Sequence, residues 1–147
     1  MKRLCTTILG VLMLSAAAWP LAIDEQEIGI SKMIPAAGET VTWRVPVVND
    51  TEEDFSGEVA MTMRIGRREE APGEPVAVTR EISLAGAEDA ESLGAREDFE
   101  HEWTPARNGW YNVVFEAPGV GRVEREIAVT EGDLWFVWFG APQDFRW

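Results

Sequence analysis

From residue 39 onward the apolar side chains recur at every second position, the period of a strand with one face buried. In ETVTWRVPVVN, Val41, Trp43, Val45 and Val47 share one face, and Thr42, Arg44, Pro46 and Val48 share the other. Pro46 cannot donate to a ladder, which places this strand at a sheet edge or gives it a bulge near its end. In EVAMTMRIG the apolar set is Val59, Met61, Met63 and Ile65, opposite Ala60, Thr62 and Arg64. PVAVTREISLAG aligns Val76, Val78, Ile82 and Leu84 with Arg80 interrupting the row, and DFEHEWTP aligns Phe99, His101 and Trp103 against Glu100 and Glu102. WYNVVFEAPG sets Tyr111, Val113 and Phe115 opposite Trp110, Asn112, Val114 and Glu116. VGRVEREIAVTEGD aligns Val123, Ile127 and Val129 with Arg125 breaking the row, and EIGIS at 27–31 supplies an opening strand.

Between these runs the residues are those that make turns. NDTEEDFSG joins the first two strands through Asn49, Asp50, Ser56 and Gly57, and GRREEAPGEP carries two Pro and two Gly. AGAEDAESLGARED, 85–98, is small, polar and acidic, and suits a short helix or a loop. The pattern predicts about seven strands, no sustained helix, and therefore no crossover connections for a parallel sheet. The expectation is an all-β, antiparallel, immunoglobulin-like sandwich whose two sheets interdigitate side chains across roughly 10 Å.

The two ends of the chain differ from this middle. Lys2 and Arg3, an apolar stretch from Leu4 to Leu14 and the small residues Ala16, Ala17 and Ala18 have the form of a secretory signal peptide, 1–18, cleaved after Ala18. This places the protein outside the cytoplasm, secreted or periplasmic in the cell envelope, with no membrane span after cleavage. The one cysteine, Cys5, falls inside the signal, so the sandwich at 24–131 has no thiol for a disulfide, metal or nucleophile. At the other end, GDLWFVWFGAPQDFRW, 132–147, is an aromatic tail that reads as an extra strand or as the stub of a following domain.

Charge narrows the partners. The full chain carries 13 basic and 26 acidic residues, a net charge of −13, and loss of Lys2 and Arg3 makes it more acidic still. Nucleic acid and anionic membranes would be repelled, which leaves a protein or polysaccharide at the cell exterior as the expected partner.

The order of the pieces is similar to a known family. IPAAGETVTWRVPVVNDTEEDFSGEVAMTMRI, 34–65, resembles the opening strands of bacterial immunoglobulin-like domains of the CARDB type, a cell adhesion related domain. FEHEWTPARNGWYNVVFEAP, 99–118, is similar to that family's later hairpin, in which an aromatic strand ends in Trp-Thr-Pro before a Gly turn. The resemblance implies a non-catalytic extracellular module for adhesion or spacing. The same pieces also resemble a proteinase-inhibitor domain of sandwich form.

The inventory of reactive groups agrees with a module that is not an enzyme, and no catalytic residue is assigned. His101 is the only histidine and stands between two aromatic positions, where it reads as a structural residue at a sheet margin. Glu100 and Glu102 project from one strand face about 7 Å apart, as solvated carboxylates do. A calcium site is the one cofactor the composition suggests: Asp50, Glu52, Glu53 and Asp54 are hard oxygen ligands in one loop, and Glu88, Asp89 and Glu91 form a second. The Asn49-Asp50-Thr51 triplet fits a glycosylation acceptor in a eukaryotic source. Trp43 and Trp103 belong to the core, whereas Trp110, Trp135 and Trp138 are candidates for an aromatic platform that stacks on sugars. The alternatives to an adhesion or spacer module are accordingly a carbohydrate-binding module, or the N-terminal domain of a larger surface protein or enzyme.

Overall fold

The computed structural model describes residues 20–88 and 94–130. The expected signal peptide, the tail 132–147 with Trp135 and Trp138, and Asp89 and Glu91 of the second acidic loop lie outside them. Within the described residues the chain is all-β, with no helix and eight strands. They are β1 (Leu21–Ile23), β2 (Gly29–Ile30), β3 (Val41–Asn49), β4 (Phe55–Arg67), β5 (Val76–Leu84), β6 (Arg96–Trp103), β7 (Gly109–Ala117) and β8 (Gly121–Val129). The sandwich thus takes in Leu21–Ile23, ahead of the expected start at residue 24.

Every pairing is antiparallel. The first sheet places β1 and β2 along one side of β3 and β6 along the other; the second runs β5-β4-β7-β8. The connections β3 to β4, β5 to β6 and β6 to β7 all pass from one sheet to the other. The segment 99–118, which resembled a hairpin, is therefore a crossing between sheets: β6 pairs with β3, and β7 with β4 and β8. Alternation reports which face a residue occupies, and it carries no information about which strand lies beside it.

The alternation itself holds, except that Pro46 and Val48 on the outward row of β3 are buried as well. Val45, Val47, Val59, Met61, Phe99, Val113 and Phe115 are buried, and the core extends through Trp43, Met63, Ile82, Leu84, Tyr111, Ile127 and Val129. Trp43 meets Phe115 edge to face at 5.4 Å, and Trp103, partly buried, meets Tyr111 in the same manner at 5.0 Å. The Tyr111 hydroxyl donates to the Arg107 carbonyl at 2.7 Å. A tyrosine at the start of this strand bonded to the backbone a few residues upstream is the corner device of immunoglobulin-like sandwiches.

Three expectations are corrected. First, β3 is central and paired on both sides, despite Pro46. The Pro46 carbonyl accepts from Asp24 N–H at 3.0 Å, so its ring nitrogen faces the same side, where the neighbouring strand breaks between Ile23 and Gly29. The missing donor falls opposite a turn and leaves no acceptor stranded. Second, Val76 is 52% exposed because it opens the edge strand β5, beyond the reach of the facing sheet. Third, His101 is 2% exposed and stands in the sandwich interior, not at a margin.

The two arginines that interrupt apolar rows close the open sides of the sandwich. Arg80, on the inward row of β5, crosses to β6, where it donates to Glu97 Oε1 at 2.9 Å and the Asp98 carbonyl at 3.1 Å, with its guanidinium 5.6 Å from the centre of the Phe99 ring. Arg125, on the inward row of β8, crosses the other open side to donate to the Glu25 carbonyl at 2.6 Å. Inward positions on edge strands reach the rim of the core, where a long side chain can bury its stem and keep its charge at the surface.

Candidate functional site

The turn from β3 to β4 was the leading place for a bound cation, and its geometry is set by Asn49. This side chain is fully buried. Its Nδ2 donates to the Glu53 and Leu84 carbonyls at 2.7 and 3.3 Å, and its Oδ1 accepts from Thr51 N–H at 3.1 Å and the Thr51 hydroxyl at 3.0 Å. The side chain mimics a turn of backbone and locks the loop against β5. Because both amide protons are engaged inside the fold, Asn49 is not available as a glycan acceptor in the folded protein.

That lock disperses the carboxylates around it. Asp54 Oδ1 accepts from Gly86 N–H at 3.0 Å, while Asp50 lines a hollow with Asp24, Glu25 and Glu27 of the β1–β2 turn. Glu52 is exposed, as is Glu88 in the β5–β6 connection. Among the described residues, no group of three or more His, Cys, Asp or Glu is gathered as a metal ion requires.

His101 pairs in register with Trp43, and its ring lies 6.2 Å from that of Phe115. Among the described residues neither ring nitrogen finds a hydrogen-bond partner, nor does Trp43 Nε1. Burial pushes His101 below its ordinary value of 6.5, and the Arg80 guanidinium pushes in the same direction. The residue is thus held neutral in the core. Glu100 and Glu102 are exposed on the opposite face of β6.

Trp110 is 47% exposed on the outer face of β7, as its place in the alternation predicts. Beside it the β4–β5 connection folds back onto the sheet, with Gly73 N–H donating to the Ile65 carbonyl at 3.0 Å. The close approach needs glycines: a Cβ on Gly66 would stand 2.9 Å from Pro72 Cα, and one on Gly73 2.4 Å from the Ile65 carbonyl oxygen. Between this connection and the indole lies a shallow cleft of about 270 Å³, lined by Arg67, Arg68, Glu69, Gly109 and Trp110. Gly109 has φ +139°, and a side chain there would meet the Arg67 guanidinium at 3.1 Å. Glu70 holds the cleft from behind, accepting from Arg67 at 3.2 Å and from Arg107 at 3.0 Å. The sequence identified Trp110 as outward-facing; the folded-back connection that gives it a facing wall had no signal beyond its Gly and Pro content.

No family model matches the chain, and no curated protein matches it in sequence. Solved structures do match in fold. One is a cycloisomaltooligosaccharide glucanotransferase from Paenibacillus sp., at 20% identity over 71% of this chain and 14% of that one, with a TM-score of 0.53. A second is the alkylpurine DNA glycosylase AlkC of Pseudomonas fluorescens, at 13% identity over 76% and 30% of the two chains, with a TM-score of 0.51. A third is a β-glucosidase from Erythrobacter marinus, at 11% identity over 70% and 15%, with a TM-score of 0.50. This chain covers less than a third of each of these proteins, and at such identities the likeness shows the sandwich fold alone.

Proposed function

We propose that this protein is a non-catalytic immunoglobulin-like module, of the kind the CARDB resemblance implies, acting by binding or spacing at the cell exterior. The observation that carries this reading is the way the same sandwich recurs elsewhere: it matches 14%, 30% and 15% of three larger proteins, a glucanotransferase, a DNA glycosylase and a β-glucosidase. A fold that forms a minor part of proteins with such different reactions is well suited to a scaffold role, because activity resides in sites and not in folds. The interior agrees, since the inward rows are occupied by packed apolar side chains and the one histidine is sealed among them. Net charge of −13 opposes binding to nucleic acid.

The test is turnover. The purified chain, incubated with chromogenic glycosides, esters and a protein substrate, is expected to release product no faster than buffer. Turnover that copurifies with the chain and disappears in a substituted variant would overturn the reading.

A further inference from the structure

The exposed surface beside Trp110 has the makings of a ligand site, and we infer that the cleft formed by Trp110, Gly109, Arg67, Arg68 and Glu69 binds one ring of a neutral polysaccharide. This inference deepens the module reading and rests on it.

The chemistry of the walls selects the ligand. One wall is an indole that is nearly half exposed, a broad apolar face that can accept the C–H face of a pyranose. The facing wall presents Arg68, which only donates, and Glu69, which only accepts. A sugar's hydroxyl groups do both, so adjacent hydroxyls on one ring can satisfy the pair. Arg68 forms a solvent-exposed ion pair with Glu126 at 3.7 Å, too long to be a hydrogen bond, so its N–H groups can still donate to a ligand, and Glu69 is exposed with no ion pair among the described residues. By contrast Arg67 is tied to Glu70, which Arg107 also engages, so this part of the lining is preformed.

Charge and size exclude the neighbouring ligand classes. A polyuronate or a nucleotide would find Arg67 and Arg68 offset by Glu70 and Glu69, with a protein of net charge −13 behind them. The volume of about 270 Å³ lies below the usual range for drug-sized ligands, and suits a single ring. A protein partner would need an apolar area that is missing here. Of the other large exposed apolar residues among those described, Met33 lies on the β2–β3 connection, and Val76 belongs to the inward row of β5, on the opposite face of the sheet from Trp110.

The experiment titrates the full chain with cello-, xylo-, laminari-, malto- and chito-hexaose, and with polygalacturonate in parallel, by calorimetry and indole emission. Saturable binding of at least one neutral hexaose is expected. Trp110→Ala should weaken it by about tenfold or more, Trp110→Phe by less, and Arg68→Ala and Glu69→Gln by a few-fold each, all with the thermal midpoint of the parent. No saturation with any neutral sugar, equal affinity in Trp110→Ala, or binding of polygalacturonate alone would each overturn the inference. Such a failure leaves the module reading standing so long as turnover is also absent, whereas turnover overturns that reading whatever the sugars do.

Discussion

Among the described residues His101 and Asn49 are the polar side chains sealed in the core, and they are treated in opposite ways. Asn49 spends its amide on four hydrogen bonds that tie the β3–β4 turn to itself and to β5. Asn49→Ala would strand the Glu53 and Leu84 carbonyls and release Thr51, and should cost about 2–3 kcal/mol in urea unfolding. A loss within experimental error would show that the loop is held by other means. His101 has no partner for either ring nitrogen, and burial keeps it neutral below its ordinary 6.5. The unfolded chain therefore takes up a proton at this residue before the folded one does, and stability is complete above pH 6.5 and falls as the pH drops toward the lowered value. Glu39 acts in a separate window. Its carboxylate accepts from Ala36 N–H and pairs with Lys32, which hold it below 4.5, so its contribution is lost only in stronger acid. Urea midpoints measured from pH about 7.5 to 5 should decline in the parent and stay level in His101→Leu. Parallel curves would mean that His101 is not the group responsible.

At the scale of the strand, what the sequence discloses is the face and what it withholds is the neighbour. The period of two placed Val45, Phe99, Val113 and Phe115 inside and Trp110, Glu100 and Glu102 outside, as the structure has them. It read Pro46 as the mark of an edge strand or a bulge, because a missing donor is normally tolerated there, and could not foresee that the adjacent strand would break at that point. It left Leu21–Ile23 unassigned because three residues next to a leader-like stretch show no period at all. Arg80 and Arg125 looked like interruptions of two apolar rows, and the structure makes them the links across the two open sides. Each combines a carbonyl bond and stem packing with a partly exposed ion pair of small value, so Arg80→Ala and Arg125→Ala should each cost about 1 kcal/mol. The distinguishing outcome is spatial. Amide exchange should quicken in β5 and β6 for Arg80→Ala, and in β8 and the β1–β2 turn for Arg125→Ala. Exchange that rises uniformly over both sheets would contradict a local role.

The whole molecule combines these parts into two sheets around one core, with β1, β2 and β8 at one open side and β5 and β6 at the other. Among the described residues the bulk of the interior is apolar and interlocked, so packing supplies most of what holds it together. The candidate site lies apart from that core, at the start of β7 where the β4–β5 connection returns. That separation is why the sequence disclosed the fold better than the function: a core is written in periodic apolar positions, whereas the cleft depends on Arg68, Glu69 and Trp110 meeting across two strands and a turn. Residues 20–130 are expected to fold as a self-sufficient sandwich. The most direct measurement is guanidinium unfolding of that segment followed both by tryptophan emission and by far-ultraviolet circular dichroism. A single cooperative transition with coincident midpoints by the two probes is the predicted result; a segment that shows no cooperative transition, or midpoints that separate, would contradict it.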